Sequence, residues 1–138
     1  MGNYQFDGPI RVFLYAIIAL IIVNIAVNDI RMYKDKKTYK GEVDVQVERM
    51  YEYIVKPLSK SKTDRSGGFY SVELEYGILS EEQKSLLISE IKKDGFREPY
   101  LEKNCDGNNF CKGKIAIHIK NDNSKCTNIM VMKNRFDK

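Results

Sequence analysis

The hydrophobic positions fall into one unbroken block followed by short periodic runs. The block, Val12–Val27 (VFLYAIIALIIVNIAV), carries no charge, and Asn24 is its only strongly polar side chain. Extended to Asn28 it gives seventeen uncharged residues in a row. As a helix these cover roughly 26 Å, just under the hydrocarbon core of a bilayer. Val43, Val47, Met50, Ile54 and Leu58 then recur at spacings of four, three, four and four. That is one face of an amphipathic helix from Val43 to Lys56, stopped by Pro57. Val43, Val45 and Val47 also alternate as a strand would, but the later residues keep only the helical period.

Residues 59–68, SKSKTDRSGG, contain no core former and read as a polar loop. Phe69–Tyr76 alternates, with Tyr70, Val72, Leu74 and Tyr76 on one face, and reads as a strand. Ser80 and Gln83 match a capping box. Leu87, Ile88 and Ile91 supply the buried stripe of the helix that follows, and Gly95 suits its stop. Three strands are expected next, at about Arg97–Asn104, Lys112–Lys120 and Lys125–Lys133. Residues 105–111 and 121–124 have turn compositions that join neighbours.

The pattern predicts an α+β protein: one N-terminal transmembrane helix, then a small domain of two helices packed on an antiparallel sheet of about four strands, in the order α-β-α-β-β-β. The expected divisions are a tail at 1–11, the transmembrane helix at 12–28, a basic juxtamembrane linker at 29–42 and the soluble domain at 43–138.

Charge changes the picture by its placement. Of the net +4, a surplus of three comes from residues 29–40, where Arg31, Lys34, Lys36, Lys37 and Lys40 face Asp29 and Asp35. From Gly41 onward seventeen basic residues meet sixteen acidic ones, so no nucleic-acid footprint is expected. The five cations form a membrane-surface strip suited to anionic lipid. The block itself reads as an uncleaved anchor. A cleavage site needs small residues at its last and third-last positions, and Ala26-Val27-Asn28 ends in asparagine. Asn24 and Asn28, four apart on one helix face, are candidates for a helix–helix contact.

Little catalytic chemistry is visible. His118 is the only histidine, and no nucleophile elbow or phosphate loop accompanies it. Glu73/Glu75 lie on a strand face, and Glu81/Glu82 on a helix N-terminus where acids stabilise the dipole. Cys105, Cys111, His118 and Cys126 lack the close pairing of a zinc knuckle. No cofactor, no metal and no enzymatic activity are expected. Cys105 and Cys111 bracket the five residues DGNNF. A disulfide across a hairpin and a pair of reduced thiols are both open there. The bridge would place the domain in an oxidising compartment, whereas the cationic strip favours the cytoplasm. Phe110, at the expected loop tip, and Tyr100 are the candidate partner-binding aromatics.

The expectation is a single-pass membrane protein, in a bacterial inner membrane, whose domain binds another protein as an immunity or exclusion factor does. The competing expectation is a structural subunit of an envelope assembly that uses its transmembrane helix as the contact. Membrane lipid and a protein are the expected partners, and the side occupied by the domain is left open.

Overall fold

A computed structural model describes residues 8–65, 68–101, 105, 109–122 and 126–134. The chain divides into two compact units, Met1–Asp35 and Lys36–Lys138. Helix α1, Gly8–Tyr53, contributes to both. Residues 29–42, expected as a linker, are helical throughout. None of their residues breaks a helix except Gly41, and one helical glycine costs only about 1 kcal/mol.

In the first unit every described side chain is exposed. Val12, Leu20 and Val23 stand at 70 %, 70 % and 58 % exposure. The helix is long and apolar enough to cross a membrane.

The second unit is α+β. Its strands are β1 (Ser59–Arg65), β2 (Phe69–Tyr76), β3 (Asn109–Lys112), β4 (Ile115–Asp122) and β5 (Cys126–Lys133), with α2 at Glu81–Lys93. They form one antiparallel sheet in the order β1-β2-β5-β4-β3. The core lies on one sheet face. Tyr39, Val43, Val47 and Met50 of α1 and Leu87 and Ile91 of α2 meet Tyr70, Val72, Leu74, Ile117, Ile129 and Val131 there. The periodic faces of α1, α2 and β2 therefore bury as their spacing requires. The capping box at Ser80 is complete: its hydroxyl accepts from Gln83 N, and Gln83 Oε1 accepts from Ser80 N.

Five strands stand where about four were expected, and their placement differs in three ways. Residues 59–65 are β1 rather than loop. The expected strand from Arg97 reduces to one bridge, Arg97 to Cys111, with residues 102–104 outside the described set. The strand lies instead at Asn109–Lys112, across the end of the expected turn at 105–111 and the start of the strand expected from Lys112. In addition, α1 ends at Tyr53, before Pro57, and Leu58 is 74 % exposed.

Charge explains β1. Register pairs Lys60, Lys62 and Asp64 with Leu74, Val72 and Tyr70, so they share the helix-facing side of the sheet. Asp64 lies 2.5 Å from Lys36 and 3.1 Å from Lys40. Lys62 is 3.6 Å from Asp44, and Lys60 is 3.6 Å from Glu48. Residues 36, 40, 44 and 48 are successive i, i+4 positions of α1. Four helical residues rise about 6 Å and two strand residues about 6.6 Å, so the charges meet rung by rung. Beneath this ladder the Tyr70 hydroxyl donates to Asp44 at 2.5 Å. Burial first, then that bond, raises its pKa well above the usual range. Hydrogen bonds from Lys36 and then Lys40 hold the Asp64 carboxyl below its ordinary 3.8.

A carboxyl with a depressed folded pKa adds stability above its ordinary value and loses it as pH falls through the depressed one. We therefore expect Asp64→Lys to lower the Tm at pH 7, and Lys36→Asp with Lys40→Asp to restore most of the loss. Below pH 3.8 the wild-type advantage should shrink. The whole effect should stay below that of Leu74→Ala in the fully buried core, about 2–5 kcal/mol. Thermal unfolding of the full chain in detergent across this pH range reads both.

Candidate recognition surface

The register defines two ends of the sheet. Arg65 and Phe69 lie at one end, where the Tyr39 hydroxyl donates to Gly68 O and Lys133 lies 5.1 Å from the centre of the Tyr39 ring. Ser59, Glu75, Asn128 and Lys120 form a cross-strand row towards the other end. β3 begins towards that second end too, because Asn109 pairs with His118.

The chain reaches β3 through the segment after α2. Gly95 takes φ +90, a left-handed stop that glycine adopts without a Cβ penalty. Phe96 is buried. Arg97 N donates to Cys111 O at 2.9 Å, and Cys111 N donates to Arg97 O at 3.2 Å. Glu98 is ion-paired with Lys92. Leu101 N donates to Glu98 O at 3.3 Å and closes a turn. At its crest Tyr100 has φ +68 and is 79 % exposed, and Leu101 is 70 % exposed. A left-handed tyrosine costs of order 1 kcal/mol and persists only where the surrounding chain is held.

That hold is visible on both sides. Cys105 and Cys111 form a disulfide with Cα atoms 6.0 Å apart, and Cys126 remains a thiol. The bond removes two thiolates from the Cys105, Cys111, His118 and Cys126 set, so no tetrahedral zinc site assembles from it. Among the described residues no group of three or more His, Cys, Asp or Glu could hold a metal ion. His118 Nδ1 lies 2.7 Å from Asn109 Oδ1, across the β3–β4 pair. An amide oxygen there makes Nδ1 the protonated nitrogen.

The other expected residues separate. Phe110 is not at a loop tip. It pairs with Ile117 in β3, is 8 % exposed and belongs to the core, which removes it as a docking aromatic. Of the cationic strip, Lys36 and Lys40 turn onto Asp64, and Lys36 Nζ also donates to Arg65 O. Arg31, Lys34 and Lys37 keep exposed side chains. Asn28 Nδ2 donates to Asn24 Oδ1 at 3.2 Å, so the two asparagines bond within one helix. Leu101 was missed because a single leucine beside a tyrosine has no period. Pro99 was the available signal, since proline at a turn restricts the chain locally.

A groove of about 470 Å³ runs beside this segment, lined by Gly41, Val45 and Arg49 of α1 and by Phe96, Lys112 and Ile115. Lys112 Nζ donates to Asp94 O at 2.5 Å and lies 5.8 Å from the centre of the Phe96 ring. It thereby ties the end of α2 to β3. Comparison with family models, curated proteins and solved structures finds no match to this chain.

Tyr100→Gly should hold or raise the folding stability, by up to about 1 kcal/mol, because it removes the left-handed penalty. Tyr100→Val should lower it by a similar amount. Denaturant unfolding of both variants provides the check.

Proposed function

We propose that the chain is a single-pass membrane-anchored protein-binding module without enzymatic activity, set in a bacterial inner membrane as an immunity or exclusion factor. One observation carries the binding reading: Tyr100 and Leu101 stand adjacent and exposed on a turn fastened to the sheet. Aromatic anchors on fixed backbone bind at low entropic cost. The apolar length of α1 before Asn28 supports the anchor. Arg31, Lys34 and Lys37 suit anionic lipid headgroups.

A second reading, a structural subunit of an envelope assembly, draws support from Asn24 and Asn28. Their mutual bond uses one donor and one acceptor. Each amide has further bonding capacity, which in hydrocarbon favours a second helix.

The two readings diverge under crosslinking. A photoreactive phenylalanine at position 100 of the intact membrane protein should give one discrete protein adduct. Leu101→Glu should abolish it, and Asn24→Leu with Asn28→Leu should leave it unchanged. Loss of the adduct in the asparagine variant alone would favour the subunit reading, and absence of any protein adduct would refute the binding module.

Two other features bear on orientation. The disulfide supports an oxidising location for the second unit. The opposing charge bias is softened by the pairing of Lys36 and Lys40 with Asp64. In intact cells an impermeant maleimide should reach Cys126 without reductant and both Cys126 and Cys105 with it, Cys111 staying buried in β3. Labelling of Cys105 and Cys126 only after permeabilisation, with or without reductant, would place the unit in the cytoplasm.

A further inference from the structure

The stretch from Arg97 to Cys105 is fastened at both ends to one residue. At its start Arg97 exchanges two backbone bonds with Cys111. At its end Cys105 is bonded to the sulfur of the same Cys111. Cys111 is 1 % exposed and is backed across the sheet by Ala116 of β4. The two fastenings differ in kind. The backbone pair is an isolated bridge on the outer edge of β3. The disulfide is covalent and yields to one chemical reagent class. Between them Tyr100 holds a conformation that an ordinary side chain abandons when the chain around it is released.

We propose that the Cys105–Cys111 bond is a switch on the Tyr100–Leu101 surface, which when closed presents the two side chains to an apolar pocket on a protein partner and when opened by a dithiol dissolves that surface while the sheet stays folded. The inference rests on the binding reading of this surface and adds its control. Partner chemistry follows from what is exposed: an aromatic ring beside a branched aliphatic chain, with Glu98 already paired to Lys92.

The step balances with a dithiol as reductant. Its thiolate attacks the sulfur of Cys105, the less buried partner. The S–S bond breaks, Cys111 leaves as thiolate and takes a proton, and a mixed disulfide forms on Cys105. The second thiol of the reductant then displaces Cys105. Two electrons and two protons have reached the cysteines, and the reductant ends as a disulfide. The sheet survives because β3 keeps its four-residue register with β4, and Phe110 remains in the core.

Chymotrypsin is the probe, because it cuts after tyrosine only where the backbone can extend into its cleft. The full chain in detergent micelles is digested with and without dithiothreitol. Cleavage at Tyr100–Leu101 should rise at least about tenfold on reduction, tracking the open population. Buried Tyr70 and Tyr76 should stay uncut. Cys105→Ser should cut at the fast rate in both conditions. Equal rates in the two redox states would overturn the switch. So would simultaneous cleavage at Tyr70 and Tyr76, which would make the bond a staple for the whole fold. The position-100 crosslink separates the two ideas. An adduct of equal yield in both states overturns redox control of binding. Redox-dependent cleavage with no adduct in either state overturns the binding reading and leaves the tie standing.

Discussion

Four residues of helix and two residues of strand advance along their axes by nearly the same distance. The second unit is built on that coincidence. α1 carries two kinds of stripe. Tyr39, Val43, Val47 and Met50 bury against the sheet, and Lys36, Lys40, Asp44 and Glu48 run beside them. The apolar stripe holds α1 on β2 and β5, and the charged stripe brings in a strand with no apolar residue at all. Exposed ion pairs contribute little individually. Here the sheet already pairs β1 with β2, so the charges need only choose among registers and faces.

On the opposite sheet edge the problem is solved covalently. β3 is four residues long, and among the described residues its outer edge carries one bridge, to Arg97. A disulfide and one backbone pair converge on Cys111 and hold a turn that local preference would not choose. The two edges thus use different chemistry for the same task, which is to keep a marginal strand in place. The consequences differ as well. Salt and acid act on the β1 edge, whereas thiol chemistry acts on the β3 edge.

Much of this architecture was legible in the chain. The apolar block of α1 is legible from its unbroken length, and α2 with its capping box, β2 and β4 from runs long enough to show a period. β1 was not legible, because its alternation is one of charge, Lys60, Lys62 and Asp64, and not of hydrophobicity. In the complementary series at 36, 40, 44 and 48 the two cations fall inside the basic strip and the two acids beyond it, so no single local pattern joins the four. β3 was hidden by Asp106, Gly107, Asn108 and Asn109, whose composition argues for a turn, although Phe110 and Cys111 pair in the sheet. Phe110 was accordingly misplaced from core to surface. Tyr100 was visible as an aromatic, but its left-handed backbone depends on contacts with Cys111 that no local pattern encodes.

The charge ladder also sets what kind of genetic change β1 can absorb. Its outward residues, Ser59, Ser61, Thr63 and Arg65, alternate with the inward charges and carry none of the ladder contacts. Apart from Ser59, whose hydroxyl donates to Glu75 Oε2 at 2.8 Å, they can exchange with other polar residues without touching the ladder. A single inserted or deleted residue between Ser59 and Arg65 is another matter. Past the point of change it would swap the two faces, sending hydroxyls toward α1 and turning the ladder charges there away from it. Evolution along this strand should therefore proceed by substitution at conserved length, even though its composition looks like that of a loop where length varies without cost.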